Sequence, residues 1–169
     1  SEPENIIMRF LMSKQVMRRR AADNVYLHKD FHAALNRALI FVEERHGAGA
    51  VREYLRHFAA AFFAPLREEV GRRGDHGLSA IESHLRSVFT REGGGVELSR
   101  DGEDLLVRVF RCPAVEHIGN LGERLSPLFF ETTRTVSAAI CEGTDWRFSF
   151  DALDCAGGTC VQRFARRKP

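Results

Sequence analysis

The chain has 169 residues, of which 44% are hydrophobic and 28% charged, and its 25 Lys and Arg nearly balance its 23 Asp and Glu. That length suits one domain with a real core, and a formal net charge of +2 gives no electrostatic case for nucleic-acid binding over the whole surface. No apolar run approaches the roughly 20 residues of a membrane-spanning helix, the start SEPENIIMRF lacks the order of a secretory signal, and four cysteines are too few for a disulfide scaffold. A soluble cytoplasmic protein with free thiols is expected, without a nucleic-acid or membrane partner.

Ile6, Ile7, Phe10, Leu11, Val16 and Met17 precede Arg18, Arg19 and Arg20, a spacing that predicts an amphipathic helix ending in a basic turn. This segment, residues 1–25, reads as an extension suited to a homo-oligomer contact. Residues 26–165 read as the domain proper, and 166–169 as a basic, solvated tail.

Within the domain, Asp30 to Arg45 predicts a helix ended by His46-Gly47. A further helix runs from Ala48 to Gly71, with Val51, Tyr54, Leu55, Phe58, Phe62, Leu66 and Val70 at helical spacing and a kink expected at Pro65. After GRRGDHG, Leu78 to Phe89 predicts another helix, stopped by Gly93-Gly94-Gly95. The pattern then changes to strands at 96–99 and 104–111, joined by an Asp101-Gly102 turn. Helices at Pro113–Leu121 and Pro127–Cys141 each carry Pro in the first turn. Strands at 146–153 and 159–165 close the domain around Gly157-Gly158. The fold class that follows is α+β: N-terminal helices packed on an antiparallel sheet of two hairpins with intervening helices.

Three groups of residues are candidates for chemistry. His28 and His32, four apart, project roughly 40° from each other on a helix and share a sector with Leu35 and Leu39. Such a pair can present two ligands to a divalent metal such as zinc, manganese or iron, or can consist of one buried neutral ring and one at the helix entrance. Cys112 follows a strand and precedes Pro113, so it falls at a helix N-cap, where amides and the helix dipole favour a thiolate. It is either a nucleophile or metal ligand, or a small buried hydrophobe. His117, five residues on, faces partly back toward it. In the 127–141 helix, Leu128, Val136 and Ala139 mark the buried face with Thr132 and Thr135 inside it, and Glu131 stands at its edge. Glu131 is either a half-buried acid–base group of raised pKa or a surface partner of Arg134, and Arg134 turned inward would suit a substrate carboxylate. Cys155 and Cys160 flank the last turn and could oxidise, whereas Cys141 reads as packing.

The strings YLHKDFH, EYLRHFA, CPAVEHI, FETT, ICEGT and GGTCVQRF resemble the bacterial L-2-amino-thiazoline-4-carboxylate hydrolase-like family over about Tyr26 to Phe164. The closing half also resembles small-molecule-binding domains of the vinyl-reductase type. The resemblance implies a small hydrolase opening a cyclic amidine thioether. Cys112 as nucleophile or a metal on His28 and His32 would activate attack, with His117 and Glu131 as further catalytic groups and Arg134 and Thr132 binding substrate. The alternative is a non-catalytic module that binds a small ligand or metal.

Overall fold

The structure is a computed structural model that describes residues 25–167, with side chains from residue 29 onward. The amphipathic segment and Arg18–Arg20 lie outside the described residues, as do Lys168 and Pro169. Helix α1 spans Val25–Phe62 and is broken at Gly47, whose φ of 80° and ψ of 171° interrupt the helical hydrogen bonding. Only glycine adopts that conformation without a Cβ clash, so the sequence's stop signal becomes a sharp bend. Helix α2 (Ala64–Arg73) restarts after Phe63, with Pro65 in its first turn, where a missing N–H costs nothing. A 3₁₀ turn (Gly74–His76) leads into α3 (Gly77–Glu92), capped by left-handed Gly93.

Strands β1 (Gly95–Asp101) and β2 (Asp104–Arg111) form the first hairpin. Its turn is displaced by one residue from the expected position. Asp101 pairs with Asp104, and Gly102, at φ 60°, takes the first central place that Asp101 was expected to hold. Helices α4 (Pro113–Asn120) and α5 (Glu131–Cys141) then cross to the hairpin of β3 (Trp146–Asp154) and β4 (Thr159–Arg166). The sheet order is β1-β2-β4-β3, antiparallel throughout, so the predicted α+β class with two hairpins and intervening helices is observed. Helix α5 begins one turn later than Pro127. The Ser126 hydroxyl and carbonyl accept from the amides of Leu128 (3.1 Å) and Phe129 (3.0 Å), and the chain runs through tight i→i+3 turns before α-helix starts.

Two apolar clusters hold these layers together. One joins the inner sheet face to α2, α3 and α5 through Val70, Ile81, Leu105, Val107, Trp146 and Phe164. The other joins α1 to α4 and the segment before α5 through Leu39, Val51, Leu55, Ile118, Phe129 and Phe130. Each fully buried side chain of this size contributes about 1.5–3 kcal/mol. Cys112 and Leu153 touch both clusters, which places Cys112 at their seam.

On the second half of α1 the buried row is Val51, Leu55 and Ala59, and the expected Tyr54 and Phe62 are exposed, Phe62 by 68%. Spacing alone admitted both rows. Phe62 instead stacks on Phe58 at 5.4 Å and meets Phe63 edge-on at 5.1 Å. The buried Asn36 ties α1 to the crossover: its Oδ1 accepts the Ser126 amide at 2.8 Å and its Nδ2 donates to the Arg124 carbonyl at 2.9 Å. At the C-terminal end, Arg166 still belongs to β4 and pairs with Asp75, and Arg167 donates to the Trp146 carbonyl at 2.9 Å.

Candidate functional site

The sequence-selected residues fall in two places. The first surrounds the start of α4. Cys112 is the N-cap of that helix, in extended conformation (φ −90°, ψ 113°), as strand β2 gives way to Pro113. Its thiol is pushed up by burial; the amides of Val115 and Ala114 favour the thiolate but do not outweigh it, and the charges of Glu92 and Glu116 add to the rise. The expected lowering is therefore reversed. The helix terminus is present, but the half-buried seam between two apolar clusters leaves the thiol too little water to favour the thiolate.

Helix α1 is already formed at His28, whose side chain lies outside the described residues. His32 pairs with Glu92, Nε2 to Oε1 at 3.1 Å, and Glu92 is the last residue of α3. His117 pairs with Asp30 of α1 at the same distance, 3.1 Å. Both pairs tie α1 to a neighbouring helix, His32 reaching from α1 to the end of α3 and His117 reaching from α4 to Asp30. Among the described residues no group of three or more His, Cys, Asp or Glu is arranged to hold a metal ion.

Glu92 and Asp30 are absent from the sequence-selected set. Glu92 ends a helix in REGGG and looks like a solvated C-terminal charge; its burial depends on α1 crossing over it, which no local pattern encodes. Asp30 could have been suspected only as a carboxylate flanked by His28 and His32.

The second place is an open groove of about 790 Å³ between the second half of α1 and α5. Glu131 and Arg134 line it, as do Arg52, Arg56, His57 and Arg167, whereas Cys112, His32 and His117 do not. Glu131, at the first position of α5, lies 3.5 Å from Arg52 Nε and 3.4 Å from Arg134 Nε. Arg134 also sits over the Phe150 ring at 5.0 Å, so it is held along the helix surface. Thr132 is half-buried, and its Oγ1 has no hydrogen-bond partner among the described residues.

The remaining cysteines are free thiols. Cys155 is exposed in the last turn, and Cys160 is buried beneath the sheet with Gln162 Nε2 at 3.5 Å from its sulfur. Cys141 is buried, as its packing role required, and its thiol is pushed up to about 12 by burial.

No protein-family model matches the chain, and no curated protein matches its sequence. No helix among the described residues is long and apolar enough to cross a membrane.

Proposed function

We propose that this protein is a small-molecule-binding module of the vinyl-reductase-domain type, with its ligand in the α1–α5 groove. The observation that carries this reading is the groove itself. Its volume is about 790 Å³, against about 420 Å³ for the depression lined by Trp146 and Arg166, and several charged side chains stand on its walls. Binding requires shape and a few oriented polar groups, and the groove supplies both without an activated nucleophile. The test is a thermal-shift screen of small carboxylates, amines and heterocycles against the wild type and Ala138→Trp, which fills the groove from α5. Hits that stabilise the wild type and lose their effect in Ala138→Trp support the reading. Hits unaffected by the tryptophan overturn it.

A second reading keeps the hydrolase suggested by the sequence resemblance. Its favouring observation is that Cys112 stands at the start of α4 with two helix amides beside it, which favour the thiolate. Cys112 would attack the ring carbon between nitrogen and sulfur, and the ring carbon–sulfur bond would break with its sulfur leaving as a thiol. Water would then attack the same carbon and release Cys112 as the free thiol. In this reading the thiol must be ionised by substrate entry, because burial holds it protonated in the resting protein. Turnover of L-2-amino-thiazoline-4-carboxylate abolished in a folded Cys112→Ser variant supports it; no turnover in the wild type removes it.

A further inference from the structure

The charges of the α1–α5 groove are unevenly matched. Arg52 and Arg134 share the single carboxylate of Glu131. Glu142 has its cation, Arg67, at 3.7 Å from outside the groove lining. Arg167 directs its donors to the backbone carbonyls of Trp146 and Cys141, at 2.9 and 3.4 Å, so its charge meets no carboxylate there. Arg56 has no partner among the described residues; nor have its neighbours His57 and Glu53. The lining therefore holds four arginines against three glutamates, and a surplus of positive charge before His57 is counted.

Between these charges the lining includes the methyl groups of Ala60, Ala138 and Ala139. These offer no donor or acceptor, so the body of an occupant gains there only by leaving water. Among the described residues Arg56 and Arg167 stand without a carboxylate partner, against the single unpaired carboxylate of Glu53. The groove thus keeps a net cationic wall next to an apolar strip, which suits a molecule with one anionic end and an apolar body. A guanidinium meets a carboxylate with two parallel hydrogen bonds. A highly charged anion would find too few free cations for its charge and too little polar surface for the rest of it.

We propose that the groove takes an amphiphilic monocarboxylate, its apolar part on the alanine strip and its carboxylate on Arg56. This rests on the reading of the groove as the ligand site. The probe pair is octanoate and its neutral counterpart octanamide, titrated calorimetrically into the wild type, Arg56→Gln and Ala138→Trp. Arg56 and Ala138 are exposed, and thermal unfolding of each variant checks that it is folded. The wild type is expected to prefer octanoate by roughly five- to tenfold, in the range of a partly solvated charge-assisted pair. Arg56→Gln is expected to erase the preference, and Ala138→Trp to weaken both ligands. Equal binding of the two in the wild type, or a preference that survives Arg56→Gln, overturns the carboxylate assignment while leaving the groove as a ligand site. Octanoate binding unchanged in Ala138→Trp overturns the groove reading along with it. No octanoate binding to the wild type overturns the carboxylate assignment.

Discussion

His32 and Glu92, sixty residues apart, meet at 3.1 Å, with only 22% and 7% of their side chains exposed. This contact joins the first helix to the end of α3 and holds a carboxylate within electrostatic reach of Cys112. The negative charge of Glu92 is one of the groups that raise the Cys112 thiol. Replacing it with a neutral amide of the same shape should therefore ease ionisation. Glu92→Gln is expected to speed Cys112 alkylation by iodoacetamide at pH 8 by about two- to fivefold, an effect of a few tenths of a kcal/mol to 1 kcal/mol at partly solvated range. Peptide mapping follows the site, with Cys112→Ser as the blank. An unchanged or slower rate would contradict the electrostatic link.

His84 on α3 has its pKa lowered from 6.5 by burial, and by the charge of Arg91. Its ring stands edge-on to Phe63 at 6.0 Å. Below the ordinary histidine pKa the unfolded chain takes up a proton that the folded chain resists, so folding stability falls as pH drops below about 6.5. His84→Phe should flatten this acid limb in urea midpoints measured from pH 7.5 to 5. An identical slope in both proteins would show that His84 does not carry it.

At the opposite end of the scale, Cys141 has its thiol raised from 9.0 to about 12 by burial. The unfolded chain loses that proton near pH 9 while the folded chain keeps it, so stability should decline as pH rises from about 9 toward 12. Cys141→Ala removes this titration at the cost of about 1 kcal/mol from lost packing. Chemical denaturation at pH 8 and pH 10 measures the difference: the gap between variant and wild type should narrow at pH 10.

Asn36 makes two hydrogen bonds that hold the segment between α4 and α5. Asn36→Leu leaves the Ser126 amide and the Arg124 carbonyl without their partners in a closed site. A loss of about 2–4 kcal/mol is expected by urea unfolding. A loss below about 0.5 kcal/mol would mean that water or a local shift replaces both bonds.

The glycine triplet after α3 shows how far the sequence could be read. A stop was legible, because three glycines cannot sustain a helix. Their separate tasks were not. Gly93 supplies the left-handed cap, and a Cβ at Gly94 would lie 2.6 Å from Phe89 Cδ1 and 3.0 Å from Pro113 Cδ. Gly94→Ala should accordingly cost about 1–3 kcal/mol by forcing α3 and α4 apart.

The same division holds for the site. Periodicity and Pro or Gly punctuation are local, so helices, hairpins and the N-cap place of Cys112 could be read from the chain. Burial of that N-cap, the pairing of His32 with Glu92 and of His117 with Asp30, and the choice of Val51 over Tyr54 as the inward row all depend on which elements pack together. The sequence admits Glu131 either as a half-buried carboxylate or as a partner of Arg134, and the structure has it half-buried and between Arg134 and Arg52; the groove beside it needs α1 to be placed first. The displaced hairpin turn has a local cause, since the positive φ belongs to Gly102 at the first central position and the backbones of Asp101 and Asp104 are partners across the turn.

The measurement that bears most directly on the account is a map of ligand binding by ¹H–¹⁵N correlation spectra, recorded while titrating octanoate into the full chain. Saturable shifts are expected at residues 52–60 and 134–142, with the amides of 112–118 unmoved. Shifts centred on Cys112, Ala114 and Val115, with the α1–α5 groove silent, would contradict this expectation and place the ligand at the thiol.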